Sequence, residues 1–268
     1  MKKICIAFSV SLLFSIACSD SKSNPQDVQK EVGKKEMIID SVVVKDSLRE
    51  GTSLDFSQSD LVLVFPKIKN KTLLDSIYFN YPYLKDYSKN GIQQFLKAST
   101  SNQFSKMKLE NKGNTEYTER YSSERKMKLI SIDENFLQLQ YFQSVYSGGA
   151  HANYSFINRV YDLKNNKKLN LNDITDMSNE KLSALLWKNI DQFPGKASDG
   201  KNVIANSEFL LVDQIPVNNN FYFDEKNLYF HYSPYEIAAY AAGDIIIPIS
   251  WEDLRGTLRP DFKKKLNQ

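Results

Sequence analysis

Cysteine and histidine are almost missing from this 268-residue chain, which has two of each. Cys5 and Cys18 give neither a disulfide framework nor a zinc-finger spacing. The histidines, His151 and His231, do not form a His-x-x-x-His helix pair. Together with Glu236 or Asp244 they have the residue types of a metal site without its spacing, so no metal and no cofactor is expected. A Gly-x-Ser-x-Gly elbow is absent, since Ser147-Gly148-Gly149 lacks both the pattern and a strand-to-helix context. No phosphate-cradling glycine loop appears either. Carboxylate pairs for glycan hydrolysis can be drawn from Glu236, Asp244, Glu252 or Asp253, but any soluble surface offers such pairs. No catalytic residue is assigned.

The long hydrophobic run of a permanent membrane helix is also lacking. Met1-Lys2-Lys3 leads into an apolar stretch from Ile4 to Ala17, which is short for a bilayer span and turns polar at Cys18-Ser19-Asp20. These features predict an export signal over 1–17. Ser15-Ile16-Ala17-Cys18 resembles a bacterial lipobox, with serine where leucine is usual and the small residue that cleavage needs before the cysteine. Cys18 is then the lipidation site, and the mature protein is expected on the cell envelope, outside the cytoplasm and anchored through acyl chains that each add about 0.8 kcal/mol per buried methylene. Loss of 1–17 lowers the formal charge from +3 to +1. So little net charge calls for no phosphate-tracking stripe and no nucleic-acid partner.

Aromatic residues are absent from 19 to about 52, a stretch rich in Ser, Asp, Lys, Glu and Gln. With Cys18 it reads as a flexible tether over 18–52, in which Met37-Ile38-Ile39 and Val42-Val43-Val44 form an edge strand or a sticky patch. A small α+β subdomain over 53–143 follows. It opens with the buried strand Leu61 to Phe65, closed by Pro66, and continues in a helix over about 88–108 with Ser88 as its cap. Alternating polarity over 116–121 and 126–132 predicts strands, and Asp133-Glu134-Asn135 turns the chain into a partner strand, 136–142. Gly148-Gly149, inside a strand pattern, predicts a bulge or bend.

A second α+β subdomain spans 144–260. It has a strand over 154–163, a helix over 179–193 capped by Ser178 with Leu182, Leu185, Leu186 and Ile190 at helical spacing, and a hairpin of 221–223 with 228–232. The segment from Ser233 to Gly243 breaks the alternation as a compact connection. A strand over 244–249 with Pro248 at an edge and a short helix from Ser250 come next. Residues 261–268 read as a basic, solvated tail. The fold class is α+β, an antiparallel sheet with packed helices in two intimately joined subdomains.

Three ordered segments carry a family resemblance: Tyr146-Ser147-Gly148-Gly149-Ala150-His151, Tyr161-Asp162-Leu163 with Lys168 to Ile174, and Ser233-Pro234-Tyr235-Glu236 through Gly243. Over about 129–256 the chain resembles the RsiV-like extracytoplasmic domain family, found in a lysozyme-sensing anti-sigma factor and beside the catalytic domain of a peptidoglycan deacetylase. The resemblance implies a lysozyme-like protein or peptidoglycan as partner. The chain departs from these relatives in having only a cleavable signal before the tether, where the anti-sigma factors have a cytosolic segment and a membrane span. It also has no room for the deacetylase domain. The expectation is therefore a binding or sensing lipoprotein rather than an enzyme, with a wall hydrolase or a structural envelope component as alternatives. The candidate binding or structural joint is Tyr146, Gly148, Gly149, His151, Asn153, Tyr235, Glu236 and Tyr240, with His151 holding the Tyr235-Glu236 connection against the sheet.

Overall fold

The computed structural model of the protein describes residues 39–113, 116, 120–198 and 200–266. The chain divides into a unit Met1–Glu36 and a unit Met37–Gln268. The expected export signal, Cys18 and the part of the expected tether through residue 38 lie outside the described residues.

Strands β1 (Asp40–Glu50) and β2 (Leu54–Val64) open the described part as an antiparallel pair. The tether expected over 18–52 is therefore a strand from residue 40 onward. Val42, Val44 and Leu48 point to one face and are buried, which orders the segment although its outward residues are charged. The strand expected at Leu61 begins seven residues earlier, and every second residue of β2 is buried.

Two helices follow, α1 (Lys71–Ile77) and α2 (Lys89–Glu110). Asn70 and Ser88 cap them by accepting from the amides of Leu73 and Gly91, at 2.9 and 3.1 Å. Ile92, Leu96, Thr100 and Phe104, each four residues on from the last, form the buried stripe of α2. Because these helices form a crossover, β3 (Arg120–Ile132) returns parallel to β2. The sheet is thus mixed and not antiparallel throughout, within an α+β fold. The antiparallel strands β4 (Phe136–Tyr146), β5 (Asn153–Asp162) and β6 (Lys167–Lys168) complete the order β1-β2-β3-β4-β5-β6.

The expected subdomain boundary at 143/144 falls inside β4, which crosses it unbroken. Two-part character resides in the cores instead. One core holds Val62, Ile77, Leu96, Leu137 and Tyr161, and the other holds Phe136, Val160, Leu186, Phe230 and Leu254. Neighbours Phe136 and Leu137, like Val160 and Tyr161, belong to opposite cores, because successive strand residues face opposite ways. At roughly 1.5–3 kcal/mol for each fully buried side chain of this size, both faces of β4 and β5 contribute to stability.

The second core is closed by α3 (Leu171–Ile174), α4 (Asn179–Asn189), a sheet of β7 (Phe221–Phe223), β8 (Asn227–Tyr232) and β9 (Ile245–Ser250), and the helices α5 (Trp251–Leu254) and α6 (Pro260–Lys265). Helix α4 stops before the expected 193, and Phe193 leaves the apolar stripe to stack on Tyr229. The basic tail is largely helix: Phe262 is buried, and Lys265 pairs with Asp162.

Side-chain amides join the two sheets. Gln138 of β4 donates to the Phe223 carbonyl and accepts from the Phe223 amide, each at 2.9 Å. Asn220 reciprocates on β5, accepting from the Asn158 amide at 2.6 Å and donating to the Phe156 carbonyl at 2.8 Å. Each amide supplies the donor and acceptor of a strand neighbour, so buried backbone groups of β5 and β7 are satisfied without a further strand. Among the described residues no helix is long and apolar enough to cross a membrane.

Candidate functional site

Residues 147–152 are the connection between β4 and β5. Of the bulge or bend expected at the glycines, the structure has the bend, in this connection. Gly148 and Gly149 have φ of 91° and 92°, a region closed to most side chains, and the sheet irregularity lies at Leu129/Ser131. Tyr146 Oη donates to the Gly149 carbonyl at 2.9 Å and ties the loop to its own strand. Asn153 begins β5 opposite Val145.

The turn presents His151 flat against Tyr240, with ring centroids 3.6 Å apart and planes 12° from parallel. The Ala152 carbonyl accepts from Tyr240 Oη at 2.8 Å and from His151 Nδ1 at 3.2 Å. A carbonyl cannot donate, so Nδ1 carries the proton in that bond. Tyr235 completes an aromatic surface, its ring centroid 5.5 Å from Tyr240 and 6.5 Å from His151. Its backbone is at φ 69°, and its side chain is 58% exposed. Glu236 does not meet His151; its carboxylate accepts from the Ser233 amide at 3.0 Å and closes the turn that holds Tyr235. Burial pushes the Glu236 carboxyl above its ordinary range, against the Ser233 bond. His151 thus engages Tyr240 by stacking and approaches the Tyr235-Glu236 turn through rings alone.

Beneath this layer lies a polar one, of which sequence reasoning named His231 and Asp244 but missed Asn158 and Lys196. Tyr154 packs edge-on against Tyr240 and Phe156, and Phe156 stacks on His231 with centroids 4.8 Å apart. His231 is 1% exposed. Asn158 Nδ2 donates to its Nδ1 at 2.9 Å, so Nε2 holds the proton directed at Asp244, 3.0 Å away. Lys196 pairs with the other oxygen of Asp244. Burial would raise the Asp244 carboxyl, but the hydrogen bonds of His231 and Lys196 and the charge of Lys196 outweigh it and hold the group at about 2.

Histidine, carboxylate and amide in a row resemble the way hydrolases orient an imidazole, yet both ring nitrogens are engaged and the ring is covered by Phe156. The arrangement fixes β8 to β5 and to the Gly243-Asp244 segment. A further sequence signal for it is Asn158, a polar residue at an inward position between Phe156 and Val160. Among the described residues no group of three or more His, Cys, Asp and Glu side chains is placed to hold a metal ion.

Known proteins share this architecture. Residues 172–252 match the family model described as a protein of unknown function, DUF3298. The match contains the Ser233 to Gly243 connection and ends before α5 is complete. A DUF3298 family member from Bacteroides fragilis has a similar solved structure, with a TM-score of 0.68 and 21% identity over 87% of this chain and 98% of that one. A DUF3298 family protein from Pseudomonas aeruginosa is also similar, with a TM-score of 0.54 and 16% identity over 85% of this chain and 96% of that one. At these identities the likeness establishes the fold. No curated protein matched the sequence.

Proposed function

We propose that this chain is a non-catalytic binding domain of the cell envelope, held at a membrane by lipidated Cys18 and engaging its partner through the aromatic surface of His151, Tyr235 and Tyr240. The partner implied by the family resemblance is a lysozyme-like hydrolase, with peptidoglycan as the other candidate.

The observation that supports this reading is the backbone of Tyr235. A bulky residue at positive φ costs on the order of 1–3 kcal/mol, and such strain persists where surrounding structure enforces it and function uses it. Here the strained residue is exposed, so the strain buys no core packing. It holds a rigid, amphipathic ring outward beside His151, and rings so held lose little entropy on binding. A pull-down with immobilised lysozyme and with insoluble peptidoglycan tests the assignment: saturable retention by either is expected, and absence of retention by both removes it.

A further inference from the structure

The far end of β4 carries a second surface. The eleven residues of that strand span roughly 35 Å at about 3.4 Å each, which separates the β3–β4 turn from His151. At this end a cleft of about 910 Å³ opens between the β3–β4 turn, the β7–β8 hairpin, Phe193 and the end of α6.

Its walls are aromatic. Tyr222 and Tyr229 are cross-strand partners with rings 4.9 Å apart and 16° from parallel, and Phe193 stacks with Tyr229 at 6.1 Å and 15°. Its rim is acidic, and two turns of the same build provide the charge. Asp133 accepts from the amides of Asn135 and Phe136, and Asp224 accepts from those of Lys226 and Asn227. Each turn therefore thrusts out the glutamate that follows its aspartate, Glu134 in one and Glu225 in the other. Both line the cleft, and among the described residues neither has an ion-pair partner. Lys265, the cation lining the cleft, is taken up by Asp162.

We propose that this cleft docks an extended peptide segment bearing lysine or arginine side chains, their charges set against Glu134 and Glu225 and their methylene stems against the Phe193-Tyr229-Tyr222 ladder. Long basic side chains suit such a site because the stem packs on apolar surface while the head stays polar. Charge complementarity supplies both attraction and orientation. A glycan is the poorer occupant. The inner ring faces are taken up within the ladder, the amides it would hydrogen-bond are committed, Gln138 to Phe223 and Asn135 to the Lys265 carbonyl, and the two glutamates of the rim call for cations.

Titration of the full chain with a blocked Lys-Leu-Arg peptide, followed by NMR shifts at Tyr222 and Phe193, tests the proposal. Saturable binding is expected. It should weaken with added salt and fall about tenfold in a Glu134→Gln/Glu225→Gln variant; both glutamates are exposed turn residues, so its melting temperature should match the parent. Citrulline and acetyl-lysine in place of the cations should abolish saturation. Absence of binding by the parent protein, equal binding by the variant or by the uncharged peptide, or chitotetraose binding in the peptide's place would each overturn it. Tyr235→Gly leaves this titration unchanged, which separates it from the fate of the His151 surface.

Discussion

His151 and Tyr240 lie face to face at 3.6 Å, and both donate to the carbonyl of Ala152. That single acceptor ties the β4–β5 turn to the connection between β8 and β9. Two segments far apart in the chain thereby form one surface, and its shape depends on the turn keeping its backbone.

Gly149 tests that dependence. A Cβ there would meet nothing within 4 Å, so the penalty of substitution comes from its φ of +92° alone. Gly149→Val should destabilise the protein by about 1–2 kcal/mol and Gly149→Asn by less, since asparagine tolerates positive φ better. Urea midpoints measure both. Equal midpoints for the valine variant and the parent would mean that the turn is free to rearrange.

The buried pair of His231 and Asp244 sets a pH dependence. The Asp244 carboxyl, ordinarily at 3.8, is held at about 2 in the folded protein, so the unfolded chain takes up its proton first as pH falls. The stabilisation, on the order of 2 kcal/mol, is complete above about pH 4 and disappears as pH drops toward 2. Asp244→Asn should lower the melting temperature at neutral pH and flatten the curve between pH 4 and 2. An unchanged slope in that window would place the acid sensitivity elsewhere.

Gln138 has a different role, since its amide serves both backbone groups of Phe223. Gln138→Leu fits a buried position by size but leaves a buried N–H and C=O unpaired, at about 1–3 kcal/mol each. A loss of at least about 2 kcal/mol in a denaturation series, with faster amide exchange at Phe223, is the expected result. A leucine variant as stable as the parent would show that β7 does not need the bond.

Local pattern was enough to read much of this fold. The cap at Ser88 and the spacing of Ile92 and Leu96 marked α2, and Asp224-Glu225-Lys226-Asn227 marked the β7–β8 turn. Strand β1 was harder, because Lys45, Asp46, Arg49 and Glu50 give it the composition of a tether while three buried residues make it a strand. The parallel pairing of β2 with β3 could not be read, since strand direction follows from how a crossover packs and not from alternation. For the candidate site, glycines and aromatic residues pointed to Tyr146 through Tyr240. In the layer below, His231 and Asp244 were named only as residue types of a metal site, while Asn158 and Asn220 were hidden because they lie far apart in sequence, unremarkable polar residues until the sheets meet.

The Tyr235→Gly variant measures the central claim most directly. Glycine adopts φ of 69° without strain, so the fold should be as stable as the parent or up to about 1 kcal/mol more stable, while the exposed ring is lost. Titrated with lysozyme or soluble peptidoglycan fragments by calorimetry, whichever ligand the parent binds, the variant should bind about thirtyfold more weakly, the roughly 2 kcal/mol of a surface anchor. Parent-like affinity in a stably folded Tyr235→Gly protein would contradict the account.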